Sequence, residues 1–353
     1  MITTLLAGDI GGTKTLLSLF SWDGVSLQFR SGERYPSGDW DDLPSCVGLF
    51  LEEKHVPGLP RPSAACFAVA GPVQGGRARL TNLPWQLSET ELAASCGIDC
   101  VELVNDFAVL IHGLPHLHNQ QLAPVRDGSP IADEPTLVVG AGTGLGVALG
   151  IPTASGLQAV ASEAAHGAFA ARTRQEWELH QWLQEDLQLE RLSIERVVSG
   201  TGLGHVARWL LAVRDPEGSH PLAEVARCWR RSAAGGGDGS AATGEKAPDL
   251  PAVVAAAAAQ GDGLASEALE LWLAAYGAAV GDLALTSLSR GGIWLAGGTA
   301  AKLLPGLRSR AFQDAFLAKG RLRPAVEAMP IQAVIDPAIG PFSAACRALA
   351  LLH

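Results

Sequence analysis

Basic residues are the scarcer charge in this 353-residue chain: 26 Lys and Arg stand against 36 Asp and Glu, a formal net charge of -10. A surface of that sign repels nucleic acid and anionic membrane, so neither is an expected partner. An anionic ligand remains admissible, because a local site can be positive inside a negative field. No apolar run approaches the ~20 residues that span a bilayer. The opening MITTLLAGDIGG has no basic segment and no small-residue cleavage site, so no signal peptide and a cytoplasmic location are expected. Cys46, Cys66, Cys96, Cys100, Cys228 and Cys346 are scattered without a CxxC pair, which favours buried reduced thiols over disulfides or zinc. Two phosphate motifs are missing as well. The lack of G-x-x-x-x-G-K-[ST] excludes a P-loop, and the lack of G-x-G-x-x-G at the first turn argues against a dinucleotide site.

What is present is globular: 48% hydrophobic and 18% charged residues, in a length that suits two domains. Strands are expected at 5–8 and 15–20, with an Asp23-Gly24 hairpin turn leading to a third at 25–30. A helix is expected over 40–54, a buried strand over 64–71, and a short helix from Ser88 to about Gly97 opened by the capping box Ser88-Glu89-Thr90-Glu91. VELV, 101–104, reads as a strand, with FAVLIHGL turning helical after it. TLVVGAGTGLGVALGI, 136–151, repeats the opening grammar of strand, Gly-Thr turn and strand, a weak internal duplication. Helices follow at 174–187, after Ser199-Gly200, at 264–288 and over the closing FSAACRALALLH. The Gly/Ala/Ser-rich stretch 231–251 reads as a flexible insertion. Alternating strands and helices indicate α/β domains with mixed sheets. Three antiparallel-looking strands before any helix argue against a plain Rossmann fold.

Glycine-rich turns follow strands at 8–13, 140–144, 200–204 and 297–298. Such a turn exposes several backbone N–H groups in one concavity, which suits phosphate oxygens. A single glycine turn is usually only a turn, but two matching Gly-Thr turns in duplicated modules favour a phosphate clamp. Asp9 beside the first turn would repel phosphate unless Mg²⁺ stood between them; otherwise it is an Asx turn that holds the loop. Lys14 adds positive charge there or points to solvent. Asn105-Asp106 follows an apolar strand, at the carboxyl end where α/β sites lie, and could instead be a helix N-cap. Glu163 and His166 sit three apart in a small-residue loop. Glu195 stands before a strand-like Val-Val, where the bland alternative is a solvated acid.

The ordered motifs DIGGTK, TNLPW, VNDF, GAGTGLG, SEAAH, ERVVSGTGL and AGGTAAKLLP resemble the bacterial glucokinase family of the hexokinase–actin superfamily, from about residue 5 to 335. The resemblance implies an actin-like ATPase (ribonuclease H-like) fold: two α/β lobes of mixed sheets flanked by helices around a central cleft. Carried onto the chain, residues 1–113 and 336–353 would form the small lobe and 114–335 the large one. The implied reaction moves phosphate from ATP to the glucose 6-hydroxyl. Asp106 would be the general base, with Asn105, Glu163, His166, Glu195 and Asn82 binding the sugar. Gly11, Gly12, Thr13, Lys14, Gly142, Thr143 and Gly144 would face the ATP phosphates, Asp9 would act through water on Mg²⁺, and Gly297 and Gly298 would lie against the adenosine. The resemblance also implies a homodimer. Hydroxyl-rich ligands are read by carboxylates, amides and imidazoles, so the residue types match the substrate.

The chain departs from the family at Ala164-Ala165, where many members carry two glycines. If either position needs a positive φ, alanine costs about 1 kcal/mol or shifts the loop. The rival ROK sugar kinases carry a cysteine-rich zinc motif after the Glu-His pair, yet no cysteine lies between Cys100 and Cys228. A broader hexose kinase and a non-catalytic sugar sensor are the alternative readings. The sensor is disfavoured because Met1 falls almost directly on the first strand, leaving no DNA-binding extension.

Overall fold

The computed structural model describes residues 2–54, 56–80, 83–234 and 248–353. Its strands are β1 (Thr3–Ile10), β2 (Lys14–Trp22), β3 (Leu27–Pro36), β4 (Ala64–Val69), β5 (Val73–Gln74), β6 (Arg77–Arg79), β7 (Gln86–Ser88), β8 (Cys100–Asn105), β9 (Leu122–Arg126), β10 (Thr136–Ala141), β11 (Leu145–Thr153), β12 (Gly156–Ser162), β13 (Gly292–Ala296) and β14 (Ile331–Val334). The chain divides into two compact units. The first holds Met1–Leu122, Ala148–Ser162 and Asp336–His353; the second holds Ala123–Val147 and Glu163–Ile335. Relative to the expected lobes, 114–122 and 148–162 join the first unit. The reason is packing: β12 rests on the helix Leu110–Gly113.

Unit 1 is built on a five-stranded sheet of order β3-β2-β1-β4-β8. β1 and β2 pair antiparallel from Thr3 opposite Trp22 to Ile10 opposite Thr15, whereas β4 runs parallel to β1 and β8 parallel to β4. The expected Asp23-Gly24 turn is there: the Asp23 carboxylate accepts the Val25 and Ser26 amides at 2.8 Å, and Gly24 has φ +101°. On one face the helix Leu43–Glu53 buries Leu43, Cys46, Val47 and Phe50 against Leu6, Leu17 and Phe67. Asp42 caps it by accepting the Ser45 amide at 2.8 Å. The closing helix Ile339–Ala350 packs on β1 and β4. β5, β6 and β7 form a small antiparallel sheet beside this core.

In unit 2 the sheet order is β11-β10-β13-β14-β9, with parallel β10–β13 and β13–β14 pairings. Only the first three residues of β11 belong to this unit; the rest pairs with β12 in unit 1. Behind the sheet lies the helix Gly263–Ser287, whose Trp272 and Tyr276 are fully enclosed. This helix is long and apolar enough to cross a membrane, a match that the reading of apolar runs did not foresee. Most of that stretch is buried inside the unit, and its composition is that of a core element.

Three local expectations change. Ser88 occupies the N-cap of the helix Glu89–Cys96 but accepts no cap bond. Glu89 instead reaches across to accept the Leu103 amide of β8 at 2.8 Å. Val197-Val198 is not a strand: Ile194–Val197 forms one helical turn closed by Val198 N–H to Ile194 O at 2.7 Å. The stretch 231–251 is helical at both ends, within Pro221–Ala234 and Leu250–Ala259, and its middle, 235–247, lies outside the described residues.

Two stability predictions arise. Glu89→Ala costs about 1–2 kcal/mol, because it orphans a strand amide, while Ser88→Ala stays within about 0.5 kcal/mol; urea unfolding separates them. His205, 4% exposed, donates its Nδ1–H to the Arg196 carbonyl at 3.0 Å. Burial holds its imidazole down to about 4, from an ordinary 6.5. The folded ring therefore prefers to be neutral. Stability is full above pH 6.5 and falls as pH drops toward 4, by on the order of 3 kcal/mol. His205→Gln should flatten that slope in urea midpoints measured across this window.

Candidate active site

Unit 1 holds two groups of candidate residues. The first is the turn between β1 and β2. Gly11 N–H donates to Lys14 O at 2.9 Å and closes it. Ser37, fully buried, braces it from behind: its hydroxyl donates to Gly11 O at 2.9 Å and its amide to Thr13 O at 3.1 Å. Thr13 and Lys14 remain exposed. Asp9 is the penultimate residue of β1, just before this turn. Burial raises its carboxyl above the ordinary value, against the opposing pull of Lys14 and then Arg34.

The second group ends β8. Asn105 Oδ1 accepts the amides of Phe107 and Ala108, both at 3.0 Å, so the N-cap reading of this residue holds. Its Nδ2 has a further task, donating to Gly71 O at 3.2 Å and to Asp106 Oδ1 at 3.1 Å. The Asp106 amide donates to Val69 O at 3.0 Å. Capping and orienting are thus one arrangement: the amide that starts the next turn also fixes the neighbouring carboxylate.

Unit 2 brings together Glu163, His166 and Glu195. Ala164–His166 is a 3-10 turn, with His166 N–H on Glu163 O and Gly167 N–H on Ala164 O, each at 2.9 Å. Glu163 Oε2 lies 3.5 Å from His166 Nε2, both side chains more than half exposed. Main-chain bonds from Ile194 N–H to Gly167 O and from Phe169 N–H to Leu192 O, both 2.9 Å, tie this loop to the segment carrying Glu195. The Arg191 guanidinium adds a bond to His166 O at 2.7 Å. Neither Ala164 nor Ala165 has a positive φ, so the departure from glycine carries no backbone strain.

The same unit gathers three glycine turns. Gly142 N–H donates to Gly144 O at 2.8 Å, and Gly200 N–H to Gly142 O at 2.7 Å. Thr201 Oγ1 donates to Thr143 O at 2.9 Å. Ser199 caps the helix Gly200–Arg214 by accepting the Gly202 amide at 2.9 Å, and its own carbonyl takes the Trp272 indole N–H at 2.8 Å. Gly297, at φ +83°, turns β13 into the next helix, and Thr299 Oγ1 donates to Ala141 O at 2.5 Å. Gly142–Gly144, the start of the helix Gly200–Arg214 and Gly297-Gly298 are therefore one neighbourhood. Ser37, Ser199, Thr201 and Thr299 are braces that sequence reasoning left out. Only Ser199 carried a signal, as a capping residue before glycine. Asn82 lies outside the described residues.

The glucokinase family profile matches residues 6–350. The chain belongs to the glucokinase family. A glucokinase from Trichormus variabilis is 40% identical, aligned over 99% of this chain and all of its own. One from Synechocystis sp. is 40% identical over 98% of each. Among solved structures, a glucokinase from an Antarctic psychrotroph superposes with TM-score 0.78 at 26% identity, covering 98% of this chain and 99% of that one. A ROK family glucokinase from Streptomyces griseus, solved with glucose and AMPPNP, shares the fold at TM-score 0.61 and 19% identity, over 99% of this chain and all of its own. The fold of this glucokinase-family enzyme is the actin-like ATPase α/β fold, as the motifs implied.

Because both alanines sit comfortably in the 3-10 turn, restoring glycine at 164 and 165 should bring no gain in kcat/KM for glucose. Each glycine should lower stability by at most about 1 kcal/mol. A rise in kcat/KM on Ala164→Gly/Ala165→Gly would show that the turn is held back by its side chains.

Proposed function

We propose that the protein transfers the terminal phosphoryl group of ATP to the 6-hydroxyl of glucose, with Asp106 as the general base. In this reading the O6 proton passes to the Asp106 carboxylate as the O6–P bond forms. The bond from the γ-phosphorus to the bridging oxygen breaks, and ADP leaves. The observation that carries it is the Asn105–Asp106 pair: a carboxylate at a strand's carboxyl end, aimed by a neighbouring amide at 3.1 Å. Phosphoryl transfer needs placement and charge neutralisation more than covalent help, so one well-oriented base suffices. Glu163, His166 and Glu195 are the proposed readers of the other hydroxyls; unpaired, these groups would penalise a sugar lacking one. Asn82 is proposed to bind the sugar as well.

The braced turns are the proposed phosphate cradles: Gly11, Gly12, Thr13 and Lys14 in unit 1, Gly142, Thr143 and Gly144 in unit 2. Gly297 and Gly298 would lie against the adenosine. Mg²⁺ fits the donors present. Among the described residues no three His, Cys, Asp or Glu side chains gather to cage a metal. Mg²⁺ usually keeps several waters and takes one or two carboxylates plus substrate phosphates, and Asp9 beside the first turn would hold it through one of those waters. The ion would neutralise phosphate charge. A cytoplasmic homodimer accompanies this proposal, and light scattering reads its mass.

Asp106→Ala should lower turnover roughly 10²- to 10⁴-fold while glucose still binds by calorimetry. Near-normal turnover would remove Asp106 from the role of base. Glucose binding without sugar-dependent ADP release in the unaltered protein would instead support a sensor, and a hexose panel in the same assay would expose a broader kinase.

A further inference from the structure

Glu195 is tied to both halves of unit 2's site. Its main chain belongs to the sugar-reading loop, because the preceding residue, Ile194, donates its amide to Gly167 O at 2.9 Å, one residue past His166. Its side chain belongs to the phosphate turn, because Oε2 accepts the Leu145 amide at 3.0 Å. Gly144 makes room for that reach: a Cβ there would lie 2.5 Å from the same oxygen. The turn it holds is also secured by its own Gly142 N–H to Gly144 O bond and by Gly200 N–H and Thr201 Oγ1 on the carbonyls of Gly142 and Thr143. A carboxylate offers about four acceptor positions, so Oε1 can take a sugar hydroxyl while Oε2 keeps the amide.

We infer that Glu195 is a positioning residue that couples sugar occupancy to nucleotide affinity by holding the Gly142–Leu145 turn. This rests on the glucokinase reading and adds to it. A hydroxyl bound at Oε1 restrains the carboxylate, and the restrained carboxylate fixes the turn in its phosphate-ready form. The sugar then stabilises one state of the turn over others, as any coupling between two sites requires. A residue that only binds sugar would leave nucleotide affinity untouched when no sugar is present.

The test is calorimetric titration of the full chain with AMPPNP and Mg²⁺, with and without glucose. In the unaltered protein glucose should tighten AMPPNP by at least about fivefold. Glu195→Ala should weaken AMPPNP roughly five- to tenfold without sugar and bring the glucose effect close to none. Gly144→Ala, which pushes the carboxylate off the amide, should do the same, and the double variant should be no worse than either. Glu195→Gln keeps an oxygen for the Leu145 amide, so it should retain sugar-free AMPPNP affinity while weakening glucose. Unchanged sugar-free affinity and coupling in Glu195→Ala, multiplying effects in the double variant, or equal losses of both ligands in Glu195→Gln would each overturn the inference. Failure of the glucokinase reading looks different: the unaltered protein would bind neither ligand or release no ADP with glucose.

Discussion

The proposed phosphate contacts depend on main-chain turns whose inward groups are already satisfied. A backbone amide can serve a phosphate only if the turn presenting it does not collapse to satisfy itself. Here the carbonyls of Gly11, Thr13, Gly142 and Thr143 each accept a bond from behind, from Ser37, Gly200 or Thr201. Ser37 is fully buried, so its two bonds act at low dielectric, where a hydrogen bond is strong and a missing one is costly, whereas the Thr201 bond is exposed.

The same economy appears at β8. Asn105 could have been a simple cap, with its amide NH₂ in solvent. Instead the oxygen serves the amides of Phe107 and Ala108, and the nitrogen serves Gly71 and Asp106. All of these partners depend on one side-chain orientation. Turning Asn105 away would release the helix start and the proposed base together, which explains why an amide, with both donor and acceptor ends, stands beside the carboxylate.

What could be read from the sequence was what local chemistry decides. Asp23-Gly24 makes its turn through bonds two and three residues away. The Gly-Thr turns, the VND pair and the long apolar helix 263–287 were legible because each is a contiguous pattern. The misreadings share the opposite cause. Ser88-x-x-Glu91 has the spacing of a capping box, but β8 offers Glu89 an unpaired strand amide, and that tertiary partner reorganised the helix start. Val197-Val198 has strand residues but too few of them, and Ser199 just beyond begins the next helix. The braces were invisible for a related reason: Ser37 meets Gly11 across 26 positions and Thr201 meets Thr143 across 58.

Charge sets the last constraint. A protein of net charge -10 must take up a nucleotide that is itself strongly negative. Long-range attraction is unfavourable, so affinity has to come from short-range groups. Lys14 is exposed at the first turn, and the amino end of the helix Gly200–Arg214 lies beside the second, where the macrodipole adds a partial positive charge. Asp9 stands against this, its carboxyl raised above the ordinary value by burial and pulled back by Lys14 and then Arg34. A divalent cation arriving with the phosphates would favour the ionised form and convert the same group from an obstacle into a ligand. In the proposed reading Asp9 is therefore better matched to a magnesium complex than to a bare polyphosphate.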